Sequence, residues 1–304
     1  MSARILVTGA AGLLGTALTH TLRAVGYEVA ELDLRAVKSH GRGDVRDPDA
    51  LIRALEGCSG VVHLAAISRV VWGERDPAAC WSTNVDGTGA VVAAAKARGQ
   101  WVLFASSREV YGAATRLPAT EDTPLAPANI YGRSKVAGEQ LVAAAGADGL
   151  PVGIVRLSNV YGRTTDHVDR VVPAFARAAA HGAPLRVDGA THTFDFTHLD
   201  DVVRGLVGVI EQLGLGESTP PIHFVSEQPT TLRELAELAV KLAGSHSPIV
   251  AGPERAYDVA CFYGCGERAR RILGWTPRVA LPNGVERLIK DFGGAASRNA
   301  EVAS

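Results

Sequence analysis

Short β-branched and aliphatic runs alternate with longer helical stretches through the first half of the chain. They are Ile5-Leu6-Val7, Val29-Ala30-Glu31-Leu32, Val61-Val62-His63-Leu64, Val102-Leu103-Phe104 and Val152-Gly153-Ile154-Val155. Strands separated by helices can pair only through crossover connections, and crossovers leave them parallel with helices on both faces. An α/β doubly wound parallel sheet is therefore expected. Leu14, Leu18 and Leu22 fall on one stripe of the first helix, and Asp47-Pro48 supplies an N-cap and first-turn proline for another. Beyond about residue 162 the alternation gives way to helices between Pro- and Gly-rich loops, where Thr231-Leu232-Arg233-Glu234 reads as a capping box.

This pattern predicts a sheet domain over 1–162, with 196–225 returning to it. A smaller, mostly helical C-terminal substrate lobe is expected over 163–195 and 226–292, and a flexible tail over 293–304. The charge balance narrows the partners: 31 Lys plus Arg stand against 32 Asp plus Glu, so no broad positive field exists to collect nucleic acid or anionic lipid. A small molecule is the expected partner. Cys58, Cys80, Cys261 and Cys265 match no standard zinc spacing, so no metal is expected and all four read as reduced thiols. Without a basic leader or an apolar run approaching 20 residues, the expected location is cytoplasmic.

After the first strand comes Thr8-Gly9-Ala10-Ala11-Gly12-Leu13-Leu14-Gly15. Glycines at this spacing allow a tight turn and let backbone N–H groups approach a pyrophosphate at the helix N-terminus. A simple strand-to-helix turn is the plainer alternative. Asp33, ending the second strand, favours the ligand reading, because a carboxylate there accepts from both ribose hydroxyls and repels a 2′-phosphate. The expected cofactor is NAD in a Rossmann-like fold; Arg35 nearby bears on the choice against NADP.

Tyr131 and Lys135 stand one helical turn apart on one face. A phenol titrates near 10, so it serves as a base near neutrality only if a cation stabilises the phenolate. Taken alone, the pair could equally be a core tyrosine and a surface lysine. Phe104-Ala105-Ser106-Ser107-Arg108-Glu109-Val110-Tyr111-Gly112 adds hydroxyl residues at a strand end, where a parallel sheet presents ligand groups. His63, Tyr111 and Tyr161 read as packing residues.

Together with Asp33, Gly43-Asp44-Val45, His63-Leu64-Ala65-Ala66, Asn84-Val85-Asp86-Gly87-Thr88, Arg156-Leu157-Ser158-Asn159-Val160-Tyr161-Gly162 and Leu273-Gly274-Trp275, these motifs run in one order over nearly the whole chain. In that order and spacing the sequence resembles the extended short-chain dehydrogenases/reductases, the family of nucleotide-sugar epimerases and dehydratases. The resemblance implies that Tyr131 is the base, Lys135 lowers its pKa and holds the nicotinamide ribose, and Ser107 bonds the reacting hydroxyl. It assigns the dinucleotide to Gly9, Gly12, Leu13, Leu14, Gly15, Asp33, Asp44, Val45, Leu64, Ala65, Ala66 and Asn84, with Tyr131 and Lys135. It implies a homodimer and a substrate, a nucleotide-linked or related phosphorylated sugar, held by Ser107, Arg108, Asn159, Arg186, Phe194 and Arg255.

Dehydratases of this kind carry an acidic pair after the hydroxyl residue; here the pair is Arg108-Glu109, and a guanidinium is no ordinary proton donor. An epimerase is therefore expected first. A 4,6- or 5,6-type dehydratase with Glu109 as C5 base comes second, and a non-catalytic NAD-binding regulator is the rival from another class. Phe194 stands where family members carry a phosphate-gripping arginine, and it either packs in the second lobe or stacks on substrate. Arg186, His192 and Arg255 are the candidate replacement donors.

Overall fold

The computed structural model of the chain describes residues 3–37, 41–254 and 259–302. The first five strands are β1 (Arg4–Thr8), β2 (Glu28–Leu32), β3 (Gly60–His63), β4 (Trp101–Ser107) and β5 (Val152–Leu157). They are followed by β6 (Asn159–Tyr161), β7 (Leu185–Asp188), β8 (Thr193–His198), β9 (Ile222–Phe224), β10 (Pro229–Thr231), β11 (Ile249–Gly252) and β12 (Cys261–Phe262). The main sheet has the order β2-β1-β3-β4-β5-β9, with every neighbour parallel. From β1 the chain runs outward to β2 and then returns to β3 on the other side. That reversal opens a crevice at the carboxyl ends of β1 and β3.

The crossovers contain α1 (Leu13–Ala24), α2 (Pro48–Ala54), α3 (Val70–Arg75), α4 (Pro77–Trp81), α5 (Gly87–Lys96) and α6 (Ile130–Ala147). Later come α7 (Val171–Ala180), α8 (Leu199–Gly214), α9 (Leu232–Ala243), α10 (Glu267–Leu273) and α11 (Leu281–Val302). Side chains alternate across β1: Ile5 and Val7 pack with Leu18 and Leu22 of α1 and Leu206 of α8, while Leu6 packs with Leu51 of α2, Val91 of α5 and Val142 of α6. Both faces of the strand are covered, which is why it reads as an unbroken apolar run. On α8, Leu199, Val202, Leu206, Val209 and Leu213 form a wholly buried stripe. Each contributes about 1.5–3 kcal/mol relative to exposure, and together they fasten α8 and the following β9 to the main sheet.

The local signals act where they stand. The Asp47 carboxylate accepts from the Asp49 N–H at the start of α2. At α9 the Thr231 hydroxyl accepts from Glu234 N while the Glu234 carboxylate accepts from Thr231 N.

The second lobe packs α7, α9 and α11 around Phe175, Leu235, Leu288 and Phe196. It is richer in strand than the loop-and-helix pattern suggests: β8 pairs with β6, β10 and β12, and β11 with β7. The stretch expected as a tail over 293–304 begins inside α11. Helical backbone continues through Gly293-Gly294 to Val302, because the Ala- and Arg-containing stretch beyond has ordinary helix formers. Among the described residues no helix is long and apolar enough to cross a membrane, and no His, Cys, Asp and Glu cluster suits a metal ion. All four cysteines are free thiols.

Candidate active site

The crevice between the lobes is a cleft of about 840 Å³. Its first end is the turn after β1. Gly9 has φ 69°, and a Cβ there would meet Ala65 N at 2.7 Å; a Cβ on Gly15 would meet the Gly9 carbonyl at 2.2 Å. Only glycine permits this closure. The N-terminus of α1 carries no capping side chain and no acidic residue in its first turn, so its amides and positive dipole end remain available to an anion. Asp33 is buried, and its two carboxylate oxygens accept from Ala11 N at 3.0 Å and Arg35 N at 2.7 Å. Gly12, Leu13, Leu14, Asp44, Val45, Leu64, Ala65 and Ala66 complete this wall. Arg46 pairs with Asp44 and holds its carboxyl below the usual range. A backbone cradle that a Cβ would fill, beside a fixed carboxylate, fits a dinucleotide.

The other end is assembled on α6. Asn129 caps that helix by accepting from Gly132 N at 2.8 Å. A Cβ at Gly132 would stand 2.6 Å from the Glu109 carbonyl, so glycine lets α6 lie against the end of β4 and bring Tyr131 and Lys135 to Ser107. Burial pushes the Tyr131 phenol up to about 12, opposed by a hydrogen bond with Ser107 and by the charge of Arg170. Lys135 is pushed down to about 8 by burial. Its ammonium donates to the Ala105 carbonyl at 2.8 Å and lies 5.9 Å from the centre of the Tyr131 ring. One of the three ammonium donors is thus taken by the strand backbone, and the groups that oppose the burial of the phenol are Ser107 and Arg170.

Below this group lies a buried polar floor. Glu139 of α6 accepts from Ser106 Oγ at 2.5 Å and from Arg156 Nε at 2.9 Å, and Arg156 donates to the Tyr111 hydroxyl at 2.7 Å. His63, read as a packing residue, bonds the hydroxyls of Thr8 and Thr88.

Arg108 and Glu109 both face the cleft, joined at 2.8 Å, and Glu109 also accepts from Asn129 Nδ2 at 2.8 Å. The Arg108 guanidinium lies 4.5 Å from the centre of the Phe194 ring. Asn159, His192 and Phe194 line the same wall.

Two site assignments are corrected. Asn84 sits behind the wall rather than on it: buried in a π turn at Ser82–Asp86, it clasps both backbone groups of Ile67 and donates to Ser134 Oγ at 2.9 Å. Arg186 is exposed and is drawn to Asp188 at 2.8 Å, two residues on along the same face of β7; Asp188 lines the cleft and Arg186 does not. Arg255 lies outside the described residues.

Sequence reasoning missed Arg69, Asp166 and Arg170. Arg69 bonds Asp169 at 2.7 Å, and Arg170 lies 3.3 Å from Asp166 without hydrogen-bond alignment, since its Nε has no partner. No spacing rule joins residues so far apart in the chain; only the approach of the loops before α3 and α7 does.

Comparison with known proteins gives the family. Residues 5–220 match the profile of the NAD dependent epimerase/dehydratase family. A UDP-glucose 4-epimerase of Lacticaseibacillus casei is 30% identical over 90% of this chain and 91% of its own. The solved structure of MoeE5 in complex with UDP-glucuronic acid and NAD superposes with a TM-score of 0.89 at 30% identity, covering 97% of this chain and 100% of that one. DesIV, a dTDP-glucose 4,6-dehydratase from Streptomyces venezuelae with NAD and TYD bound, gives 0.87 at 28% identity over 97% and 98%.

Proposed function

This chain belongs to the NAD dependent epimerase/dehydratase family, and on that premise we propose that it is an epimerase of nucleotide-linked sugars, inverting a carbinol centre, C4 by analogy with its relatives, through a transient ketone. NAD, when bound, supplies the hydride acceptor and donor. The chain's own residues do the rest. The Gly9–Gly15 turn and Asp33 hold the dinucleotide. Ser107 bonds the sugar hydroxyl, and Tyr131 Oη takes its proton and later returns it. Lys135 keeps a positive charge beside the phenol and is near enough to bond a ribose. Leu64, Ala65 and Ala66 give the cleft an apolar wall.

The observation that carries the reading is that Ser107, Tyr131 and the glycine turn line one cleft while the position after Ser107 holds a guanidinium. Dehydration needs an acid there, and an arginine stays charged at working pH. Glu109 supports the second reading, a dehydratase with this carboxylate as C5 base; both its oxygens are already bonded, which favours epimerisation. The exposed Trp81 and Leu141 near α4 and α6 support a homodimer through that face.

The test is incubation of the NAD-loaded protein with a panel of nucleotide sugars. A product of unchanged mass and altered stereochemistry is expected; loss of water would replace the reading with dehydration. Tyr131→Phe should lower turnover by about 10²–10⁴-fold while calorimetry still registers NAD. Unaffected turnover would remove Tyr131 from its role.

A further inference from the structure

We propose that Arg108 is a carboxylate-recognition residue and that the site is built for an acidic sugar, a nucleotide-linked uronic acid, in preference to a neutral hexose. The inference rests on the epimerase reading and narrows its substrate.

The guanidinium is nearly enclosed, at 11% side-chain exposure, yet only part of its hydrogen-bonding capacity is used. Nη2 meets Glu109 Oε1 at 2.8 Å, Cζ lies 4.5 Å from the centre of the Phe194 ring and 5.9 Å from that of Phe262, and Nη1 is buried without a partner. A buried donor left unbonded costs about 1–3 kcal/mol, and such atoms are rare enough in folded proteins to need an explanation. Packing alone gives none, since an aliphatic side chain would fill the space over two aromatic rings without the orphan. The planar fork of a guanidinium suits a carboxylate, which can be held along an N–H edge.

Position selects the ligand. Arg108 follows Ser107, the residue that bonds the hydroxyl to be oxidised, so its guanidinium belongs to the sugar end of the cleft and not to the phosphate turn at α1. In a pyranose oxidised at C4, the adjoining C5 bears C6, and a carboxylate there falls to the residue next to the one holding the C4 oxygen. Glu109, the acid paired to Arg108, uses one nitrogen and is itself tied to Asn129. A sugar carboxylate would take the other, with the cation between two anions. Of the other charged groups on this wall, Arg69 and Arg170 also keep a buried Nε without a partner, but each already faces an aspartate, Asp169 at 2.7 Å and Asp166 at 3.3 Å, and neither adjoins Ser107. His192 lies 3.6 Å from Glu254, and Asp188 takes Arg186. Of these three arginines with an unbonded buried nitrogen, Arg108 is the one that adjoins Ser107.

The experiment compares acidic and neutral sugars on the same nucleotide: glucuronic acid and glucose as their UDP, dTDP and GDP conjugates. Turnover of the NAD-loaded protein is measured for wild type, Arg108→Gln and Arg108→Lys, with nucleotide diphosphate binding as the check that the cleft is intact. Wild type should favour the uronate in kcat/KM by roughly 10- to 100-fold, the usual worth of a charge-assisted contact. Arg108→Gln should collapse that ratio toward one, mainly through KM, and Arg108→Lys should restore part of it. A wild type that favours the neutral sugar, or an Arg108→Gln variant that keeps the ratio, overturns the inference and leaves the epimerase reading standing. If wild type turns over neither member of any pair, that reading fails and the inference falls with it.

Discussion

The two ends of the cleft are built from different materials. The dinucleotide end is mostly backbone: a glycine turn, a helix N-terminus and one carboxylate whose oxygens are both engaged by main-chain N–H groups. The sugar end is mostly charged side chains carried on loops. Among the described residues eight buried side-chain polar atoms have no partner, and five of them belong to cleft-lining residues, Arg69, Arg108, Tyr161, Asp166 and Arg170. Backbone geometry is fixed once the strand and helix form, so the first end is ready for a ligand common to many enzymes. Side chains can be exchanged singly, so the second end is where specificity resides, and it holds unspent hydrogen-bonding capacity until a substrate arrives.

The largest test of this contrast lies beneath the Ser107–Tyr131 end, at its buried polar floor. Glu139→Gln leaves Arg156 buried without its counter-charge, which should cost about 3–5 kcal/mol, read as a lowered denaturant midpoint. A loss under about 1 kcal/mol would mean the floor is not what holds α6 to the sheet. Next comes the backbone-built end alone. Gly9→Ala forces a Cβ toward Ala65 N at positive φ and should weaken NAD binding by tenfold or more, about 1.4 kcal/mol or above, in a fluorescence titration; sugar-nucleotide binding should change far less.

Acidity sharpens the comparison further. Burial, and then the charge of Lys135, push the His63 ring down to about 3 from 6.5. Between those values the unfolded chain binds a proton that the folded chain refuses, so stability rises with pH through the window and is lost as pH falls. At one pH unit below 6.5 the loss from this residue is about 1.4 kcal/mol, and His63→Gln should flatten the corresponding slope of the urea midpoint. Last and smallest is Lys96→Ala. The Lys96–Asp148 pair is exposed on both partners, so removing it should change stability by about 0.2–1 kcal/mol and leave both ends of the cleft untouched.

What the chain discloses on reading follows the same division. The parallel sheet, the glycine turn, Asp33 and the Tyr131–Lys135 pair are local patterns, since each depends on neighbours within a strand or a helical turn. Asn84 kept its importance but not its place, because a π turn redirects its side chain and no local pattern announced that turn. Arg186 was a reasonable donor on sequence, but its ion pair with Asp188, two residues on along β7, holds it at the surface. The short strands of the second lobe pair over long separations, as Thr193 does with Cys261, and two to six residues give too little alternation to reveal it. Arg69 and Arg170 became site residues only when two distant loops met.

The stacking of Arg108 on Phe194 has a practical consequence for anyone wishing to redesign selectivity. A hydrocarbon ring offers the guanidinium no hydrogen bond, yet it is the surface against which that cation rests, 4.5 Å from the ring centre. Aim is thus set by shape and charge by a separate residue, so trimming or enlarging the ring at 194 would swing the cation without altering the ionic inventory of the pocket.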